Sequence, residues 1–539
     1  MLVYGDGEEE VTSADCLAAL HRADGEWLTH DALRERFIAL AGLAQGVADA
    51  DFAAVGMDRV RPQEQQLLEA LQALGKLLLR SWDQGCTGGP APALPAVASL
   101  PHRVTIREGE GYAHYAVYPE AYGLAARQLR LDASPLIIGL RSIGSGLAAI
   151  AAATLGAPPP VTLRPGGDPF ARSLSIHPDL AAILLANEHH YVIVDEGPGL
   201  SGSSFGCVAD WLEDHGVAAN RISFLPGHSG DLGPEACARH RARWKSAQRP
   251  VVQPDHLGQW IEALVGPIES WADISGGAWR PHWSASEQQW PPAVPSWERI
   301  KFLVGAAGRK WMVRFAGLGA AGHDKLALAR LLAERGFGPE VAGLTHGWLV
   351  LRWHEDARPS RPSREELQAY LAIRRNLPAT AGASPAKLVA MTRRNVPQLS
   401  GWNPPLLDLQ PDPVRIDGRL HSHEWLRLPG GQLLKADALD HHRSHDLVGG
   451  QDIAWDEAGA AVELGMSLSP ANPKLEAFYR IAYCAFQIGA HELGKGMSPA
   501  VEQPRHEAAL ARYRSALVDA IEHLRHVDQA FCRGIEAPA

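Results

Sequence analysis

"YVIVDEGPGLSGSSFGCVADWLEDHG", Tyr191 to Gly216, decides the fold: an apolar run ends on two carboxylates, a loop of small residues follows, and a helical pattern begins. Tyr191 to Val194 read as a buried strand, since a short run of β-branched and aromatic residues suits a sheet covered on both faces. Phe205, Val208, Trp211 and Leu212 recur at helical spacing as one apolar stripe, and Gly216 supplies a stop. In open α/β sheets ligands bind beyond the carboxyl ends of the strands, where Asp195, Glu196 and the loop fall. Gly197, Gly199 and Gly202 let backbone N–H groups approach an anion, while Ser201, Ser203 and Ser204 add hydroxyl donors at a helix N-terminus. No lysine follows the last glycine as a Walker loop requires, and the glycines stand behind the acids rather than before them as in a dinucleotide fingerprint. Adjacent carboxylates ahead of a phosphate cradle suit the vicinal hydroxyls of a sugar. The ligand implied is a ribose 5-phosphate.

The stretch resembles the signature of the phosphoribosyltransferase family, an apolar strand, two acidic residues and a short Thr/Gly/Ser loop. That resemblance implies that Asp195 and Glu196 hold the ribose hydroxyls of phosphoribosyl pyrophosphate, and that Ser201, Gly202, Ser203 and Ser204 hold its 5-phosphate. Here "GPGLSG" is one residue longer than the usual loop and carries Pro198. Upstream, "PLIIGLRSIGSGLAAIAAATLG" repeats the order strand, glycine-rich turn, helix. In the family such a turn wraps the pyrophosphate, which implies that role for Arg141, Ser142, Gly144 and Ser145. Between the two, "VTLRPGGDPFARSL" resembles the flap that closes over the reacting centre and offers Arg164 and Arg172. The implied reaction has Mg²⁺ on the pyrophosphate and a nitrogen nucleophile attacking an oxocarbenium-like carbon. Donors placed where charge develops contribute on the order of 3 kcal/mol each. The implied acceptor is a small nitrogenous molecule whose identity is not legible, and His228, in the loop after the next strand, is a base contact or, in the preferred reading, a loop residue.

Further along, "RIKFLV" and "KWMVRFAG" flank "GAAGR" as a hairpin, followed by the helical "LALARLLAERGF" and the strands "VAGL" and "GWLVLRW". Together they resemble the small lobe of an aminoglycoside-phosphotransferase-type kinase. The resemblance implies that Arg314, standing where lysine is usual, meets the phosphates of ATP. "DGRLHSHEWLRLPGGQLLKADALDHH" resembles the catalytic loop, hairpin and metal-binding aspartate, although His-Gly-Asp and the downstream Asn are missing. It implies Asp437 as the Mg²⁺ ligand and Asp417 as the catalytic base, with His423 or Glu424 near the place of the Asn. "QDIAWDEAGAAVE" resembles the following helix, packed through its aspartate and Trp455. His421, His423, His441, His442 and His445 invite a zinc reading, but no cysteine accompanies them, and hydrogen-bonded or solvated histidines are the preferred reading.

At 539 residues the chain exceeds one ordinary core. A net charge of −10 argues against a general nucleic-acid surface. Six scattered cysteines fit a reduced compartment. No stretch reads as long enough to span a membrane, and the acidic start is unlike a signal peptide, so a cytoplasmic protein is expected.

The expected fold class is α/β: a phosphoribosyltransferase-like parallel sheet with a helical N-terminal layer, plus a bilobal kinase-like α+β domain. Its segments are a helical layer at 1–95, the sheet domain at 96–258, a Trp/Pro-rich linker at 259–297 and the kinase-like domain at 298–539. Trp260, Trp271, Trp279, Trp283, Trp290, Trp297 and Trp311 are expected to pack one domain on another. The expected function is Mg²⁺-dependent phosphoribosyl transfer coupled to an ATP-dependent kinase-like domain, in a chain that allows a homodimer. The alternative is a phosphoribosyl-ligand sensor with an inactive kinase-like domain.

Overall fold

The computed structural model describes residues 8–168, 170–199, 201–233, 235–379, 381–443 and 447–535; His445 lies outside them. The chain divides into two compact units, residues 8–260 with 316–323, and residues 261–315 with 324 onward.

In the first unit, α1 (His30–Val55) starts where the Thr29 side chain accepts the Ala32 amide and ends at Gly56 with φ 77°. It is followed by α2 (Pro62–Asp83), which carries proline in its first turn. Leu33, Phe37, Leu40, Leu43 and Val47 of α1 and Leu67, Leu71, Leu74 and Leu78 of α2 are buried. The 26 residues of α1 are long and apolar enough to cross a membrane, which corrects the expectation that no stretch is. Here its apolar face is buried within the unit, and Arg34 and Arg36 are buried with it.

The sheet consists of β1 (Ser134–Leu140), β2 (Val161–Leu163), β5 (His189–Val194) and β6 (Ile222–Leu225), all parallel, in the order β6-β5-β1-β2. Ile138 stands beside Ile193 and Leu140 beside Leu163 in register. Helix α3 (Gly144–Leu155) leaves β1, and α4 (Ser203–Asp214) leaves β5. The strand order reverses between β1 and β5, the position at which open α/β sheets form their ligand crevice. Two glycines permit this: a Cβ on Gly139 would collide with the Gly144 carbonyl, and one on Gly144 would lie 2.7 Å from the Val194 carbonyl. Behind the sheet Phe205, Phe224 and Trp244 pack with ring centroids 5.3–5.5 Å apart. The segment expected as a flap contains an antiparallel hairpin, β3 (Gly166–Asp168) and β4 (Ala171–Ser173).

The second unit begins with a five-stranded antiparallel sheet of β7 (Ile268–Asp273), β8 (Lys301–Ala306), β9 (Arg309–Phe315), β10 (Val341–Thr345) and β11 (Trp348–Arg352), in the order β7-β8-β9-β11-β10. The β8–β9 turn places Ala307 and Gly308 at φ 49° and 66°, the left-handed pair that matches the twist of a two-residue hairpin. Helix α5 (Ala320–Glu334) lies between β9 and β10 in sequence. Strand β7 and a short helix at Arg280–Trp283 come from the segment expected as a linker. In that segment Arg280 is buried against Glu502 through two hydrogen bonds of 2.9 Å. Of the tryptophans of this region, Trp260 meets Trp82, and Trp279 stacks on His423. After α6 (Arg364–Arg375) comes the hairpin β12 (Trp425–Arg427) and β13 (Leu433–Lys435), then α7 (Ala454–Leu464), α8 (Pro473–Met497) and α9 (Gln503–Val527). Trp402, Trp455, Tyr479, Tyr483 and Tyr513 fill the helical core.

The backbone contact at Gly139 gives a direct test. Gly139→Ala is expected to destabilise the first unit by about 2 kcal/mol, because the added methyl meets main chain that cannot rotate away. A thermal melt followed by circular dichroism reads this, and an unchanged midpoint would contradict the contact.

Candidate functional site

Asp195 and Glu196 stand at the carboxyl end of β5, where the crevice opens. The Asp195 carboxylate accepts the Glu196 amide at 2.8 Å, and the Glu196 carboxylate accepts the Gly111 amide at 2.6 Å. The Tyr122 hydroxyl donates to the Asp195 carbonyl at 3.0 Å and braces the strand end. Burial pushes Asp195 up to about 7. It pushes Glu196 up to about 8, with the charges of Asp195 and Glu110 adding to the shift. The two acids therefore hold protons near neutrality until something in the crevice favours their charge, such as a cation or a set of hydroxyl donors.

The loop that follows has Gly199 at φ 63° and Gly202 at φ 62°, both in the left-handed region. Gly202 caps α4 and offers no side chain, so the first amides of the helix receive no cap from it. The Ser201 hydroxyl donates to the Ser203 hydroxyl at 2.9 Å and accepts the Ser203 amide at 3.2 Å. Ser204 is half-buried in the first turn of the helix. Ser201 and Ser203 thus bind each other at the start of the helix.

The arginines require a correction. Arg141 does not reach outward as a fork for pyrophosphate. Its Nε donates to Asp49 at 2.8 Å, Nη1 to the Thr162 hydroxyl at 3.2 Å, and Nη2 to Asp58. Arg164 binds Asp49 through Nε at 2.9 Å and through Nη2, and its Nη1 donates to the Arg141 carbonyl at 2.8 Å. Burial opposes charge on Asp49, but Arg164 and Arg141 hold its carboxyl below the usual range. Arg172 donates to the Gly167 carbonyl at 3.1 Å, across the β3–β4 hairpin. Ser142 is half-buried, Gly144 is buried, and the buried Ser145 hydroxyl has no hydrogen-bond partner among the described residues. Asp49 and Asp58, which fix both arginines, escape the sequence reading. The one signal, for Asp49 alone, was the acidic pair it forms with Asp51 in the apolar "LAGLAQGVADADFAAV".

In the second unit a separate cluster forms where the sheet meets the β12–β13 hairpin. Arg314, buried on β9, donates to Asp437 at 3.3 Å and to Asp440. Lys325 on α5 lies 3.2 Å from Asp440, so this carboxylate bridges the cation of the third strand and the cation of the helix. Asp437 remains 44 % exposed. Its second oxygen is 3.3 Å from His441 Nε2, while His441 Nδ1 donates to the Asp417 carbonyl at 2.7 Å. Burial disfavours the His441 charge, yet Asp437 outweighs it and lifts the imidazole to about 9. His441 and Arg314 in turn hold Asp437 well below the usual carboxylate range, against the desolvation that opposes its charge.

Asp417, implied by the sequence as the catalytic base, lies among cations. It is fully buried, takes a hydrogen bond from the Tyr370 hydroxyl, and lies 3.2 Å from Lys435 and 3.5 Å from Arg374. The Asp456 carboxylate binds the amides of Asp417 and Gly418 at 2.7 and 2.8 Å. With cations on it and no exposed surface, Asp417 anchors the loop. The described histidines separate by partner: His441 serves Asp437, His442 lies 3.7 Å from Asp324, and His421 and His423 stand together with ring centroids 5.2 Å apart. Burial lowers His423 to about 4, which leaves its ring neutral.

No protein-family model matches the sequence, and no curated protein matches it. Among solved structures the chain is similar to the choline kinase LicA of Streptococcus pneumoniae, at 15 % identity over 48 % of this chain and 100 % of that one, with a TM-score of 0.30. It is similar to a spectinomycin phosphotransferase in complex with ADP and spectinomycin, at 12 % identity over 50 % of this chain and 98 % of that one, with a TM-score of 0.32. A microcompartment-associated aminopropanol kinase aligns at 10 % identity over 48 % of this chain and 98 % of that one, with a TM-score of 0.26. All three are small-molecule kinases or phosphotransferases by name, and none of the three is a phosphoribosyltransferase.

The protonated acids of the first unit set a pH dependence with a definite sign. Glu196 rises from 4.5 to about 8 on folding, so the folded chain keeps a proton that the unfolded chain has shed, and stability falls as pH rises through that window. Glu196→Gln, which preserves the acceptor for Gly111, is expected to raise the melting temperature by about 3 °C near pH 8, with a smaller gain near pH 5. Melts of both proteins across this range test it, and a gain independent of pH would refute the assignment.

Proposed function

We propose that the second unit is a nucleotide-binding, small-molecule phosphotransferase-like domain that takes ATP with Mg²⁺. One observation carries this reading: the cation of the third sheet strand, Arg314, meets the half-exposed carboxylate of Asp437 directly after the β12–β13 hairpin. In kinases the third strand contributes the cation for the nucleotide phosphates, and an aspartate beyond the catalytic loop contributes the metal ligand. The usual pairing of that strand cation with a helix glutamate is replaced here by Asp440, which joins Arg314 to Lys325.

Asp437 fits Mg²⁺, because it is an exposed oxygen donor that neighbouring cations keep ionised. When bound, the ion supplies charge neutralisation to the phosphates. Arg314 presents a planar guanidinium to phosphate oxygens, Asp440 and Lys325 fix its direction, and His441 orients Asp437 through its second oxygen. Asp417 takes no part in proton transfer in this reading. Its engagement with Lys435, Arg374 and Tyr370 favours one variant, a regulatory domain that binds nucleotide without transferring phosphate.

A second reading concerns the first unit, where the acid pair at the β1/β5 reversal next to the N-terminus of α4 favours a phosphoribosyl ligand. Asp195 and Glu196 are the ribose-hydroxyl acceptors, and the Ser201 to Ser204 loop receives the 5-phosphate. Transfer to a small nitrogenous acceptor is the finer form of that reading. Arg141 and Arg164 act in it by rigidifying the crevice through Asp49, without touching pyrophosphate.

Calorimetric titration with ATP and Mg²⁺ tests the first reading. Arg314→Met and Asp437→Asn are each expected to weaken binding about 10- to 100-fold, the range for charge-assisted hydrogen bonds. Wild-type affinity in both variants, or no ATP binding by the wild type, would overturn it. Titration with phosphoribosyl pyrophosphate tests the second: Asp195→Asn combined with Glu196→Gln is expected to abolish binding while ATP affinity stays unchanged. Pyrophosphate release with a panel of nitrogenous acceptors then separates transfer from sensing.

A further inference from the structure

We propose that His421, His423 and Glu424 form a three-ligand site for a zinc-class transition-metal ion, with a fourth position open to water or a small anionic ligand. The three donors come from four consecutive residues around the 3₁₀ turn Ser422–Glu424, and one ligand atom from each lies within 4.8 Å of the others. Glu424 Oε1 is 3.5 Å from His421 Nδ1 and 4.0 Å from His423 Nε2. Tetrahedral zinc with bonds of about 2.0–2.1 Å places its ligand atoms about 3.4 Å apart, so a small closure of the turn makes these three atoms one face of the coordination shell.

The surroundings orient the ligands as a metal site needs. With Nδ1 directed to the ion, His421 turns Nε2 toward the Gln487 side-chain amide at 3.4 Å and the Glu463 carboxylate at 3.7 Å, which hold the ring in place. The other oxygen of Glu424 accepts from Lys435 Nζ at 2.6 Å, leaving Oε1 for the ion. His423 is held by rings, stacked on Trp279 at 6.2 Å and met edge-on by Trp283 at 6.3 Å, which fixes its plane. The side chains of His421 and His423 stay 15 % and 25 % exposed, so the site has an outer face and a way in. Two imidazoles and a carboxylate select zinc or a neighbouring transition ion over Mg²⁺, which prefers oxygen throughout. The set His₂Glu with an open position is one that catalytic zinc adopts elsewhere. This site needs no nucleotide, and its donors are not those of the Arg314–Asp437 pairing, so titration with metal alone and titration with ATP fail separately.

The full chain, stripped with a chelator and titrated with Co²⁺ and then Zn²⁺ in the absence of nucleotide, tests the proposal. One ion per chain is expected, with the intense visible bands of four- or five-coordinate Co²⁺ that Zn²⁺ displaces. In His423→Ala the bands are expected to disappear and the affinity to fall at least about tenfold, while circular dichroism stays that of the wild type. The exposed-surface control His526→Ala is expected to bind as the wild type does. Weak bands of octahedral type, absence of stoichiometric binding, or unchanged bands in both His421→Ala and His423→Ala would overturn the proposal. Should Glu424→Gln unfold through loss of its partner for Lys435, His423→Ala decides, because its side chain reaches the surface.

Discussion

A carboxylate removed from water must find its counter-charges within the protein, and the helical part of the second unit is arranged around that requirement for Asp417. Lys435 on β13, Arg374 on α6 and the Tyr370 hydroxyl converge on it, and Asp456 of α7 holds the backbone on either side. Strand, helix and loop are thereby tied at one point. Lys435 also reaches Glu424, and His441 connects the Asp417 carbonyl to Asp437, so the position of the exposed carboxylate follows from the buried one. Removing one partner from such a cluster leaves an uncompensated charge, which costs about 3–5 kcal/mol. The loop that carries the histidines is thus held from below by charge and from above by aromatic rings.

The first unit uses the same device. There two arginines converge on Asp49 of α1, and Asp58 completes the pairing of Arg141. The turn after β1 and the strand end at Arg164 are fixed to the helical layer by this carboxylate, not by a ligand. Asp195 and Glu196 are buried at the end of β5, and that burial accounts for their raised proton affinity.

The local pattern was readable where a single segment carries it. The stretch from Tyr191 to Gly216 announces strand, acids and helix because burial on both faces leaves an apolar run and the helix leaves a stripe. The hairpin around Ala307 and Gly308 announces itself by the turn. Partner choice was not readable: Arg141 and Asp49 are 92 positions apart, and nothing in either neighbourhood names the other. Asp417 shows the same limit, since an acid after "RI" looks alike whether its side chain meets solvent or Lys435. Strand β7 was hidden for another reason, because "IESWAD" is short and sits among tryptophans, prolines and glycines that suggest a connector.

That hidden strand has a practical side. Composition invites cutting the chain near residue 298, yet β7 covers the open flank of β8 by pairing Ala272 with Leu303 and Asp273 with Phe302. A fragment that starts at 298 would bare a row of main-chain donors and acceptors on an apolar ribbon, and such edges recruit other molecules. The shortest self-sufficient piece begins upstream of Ile268, and a polypeptide trimmed by appearance alone is destined for the insoluble fraction.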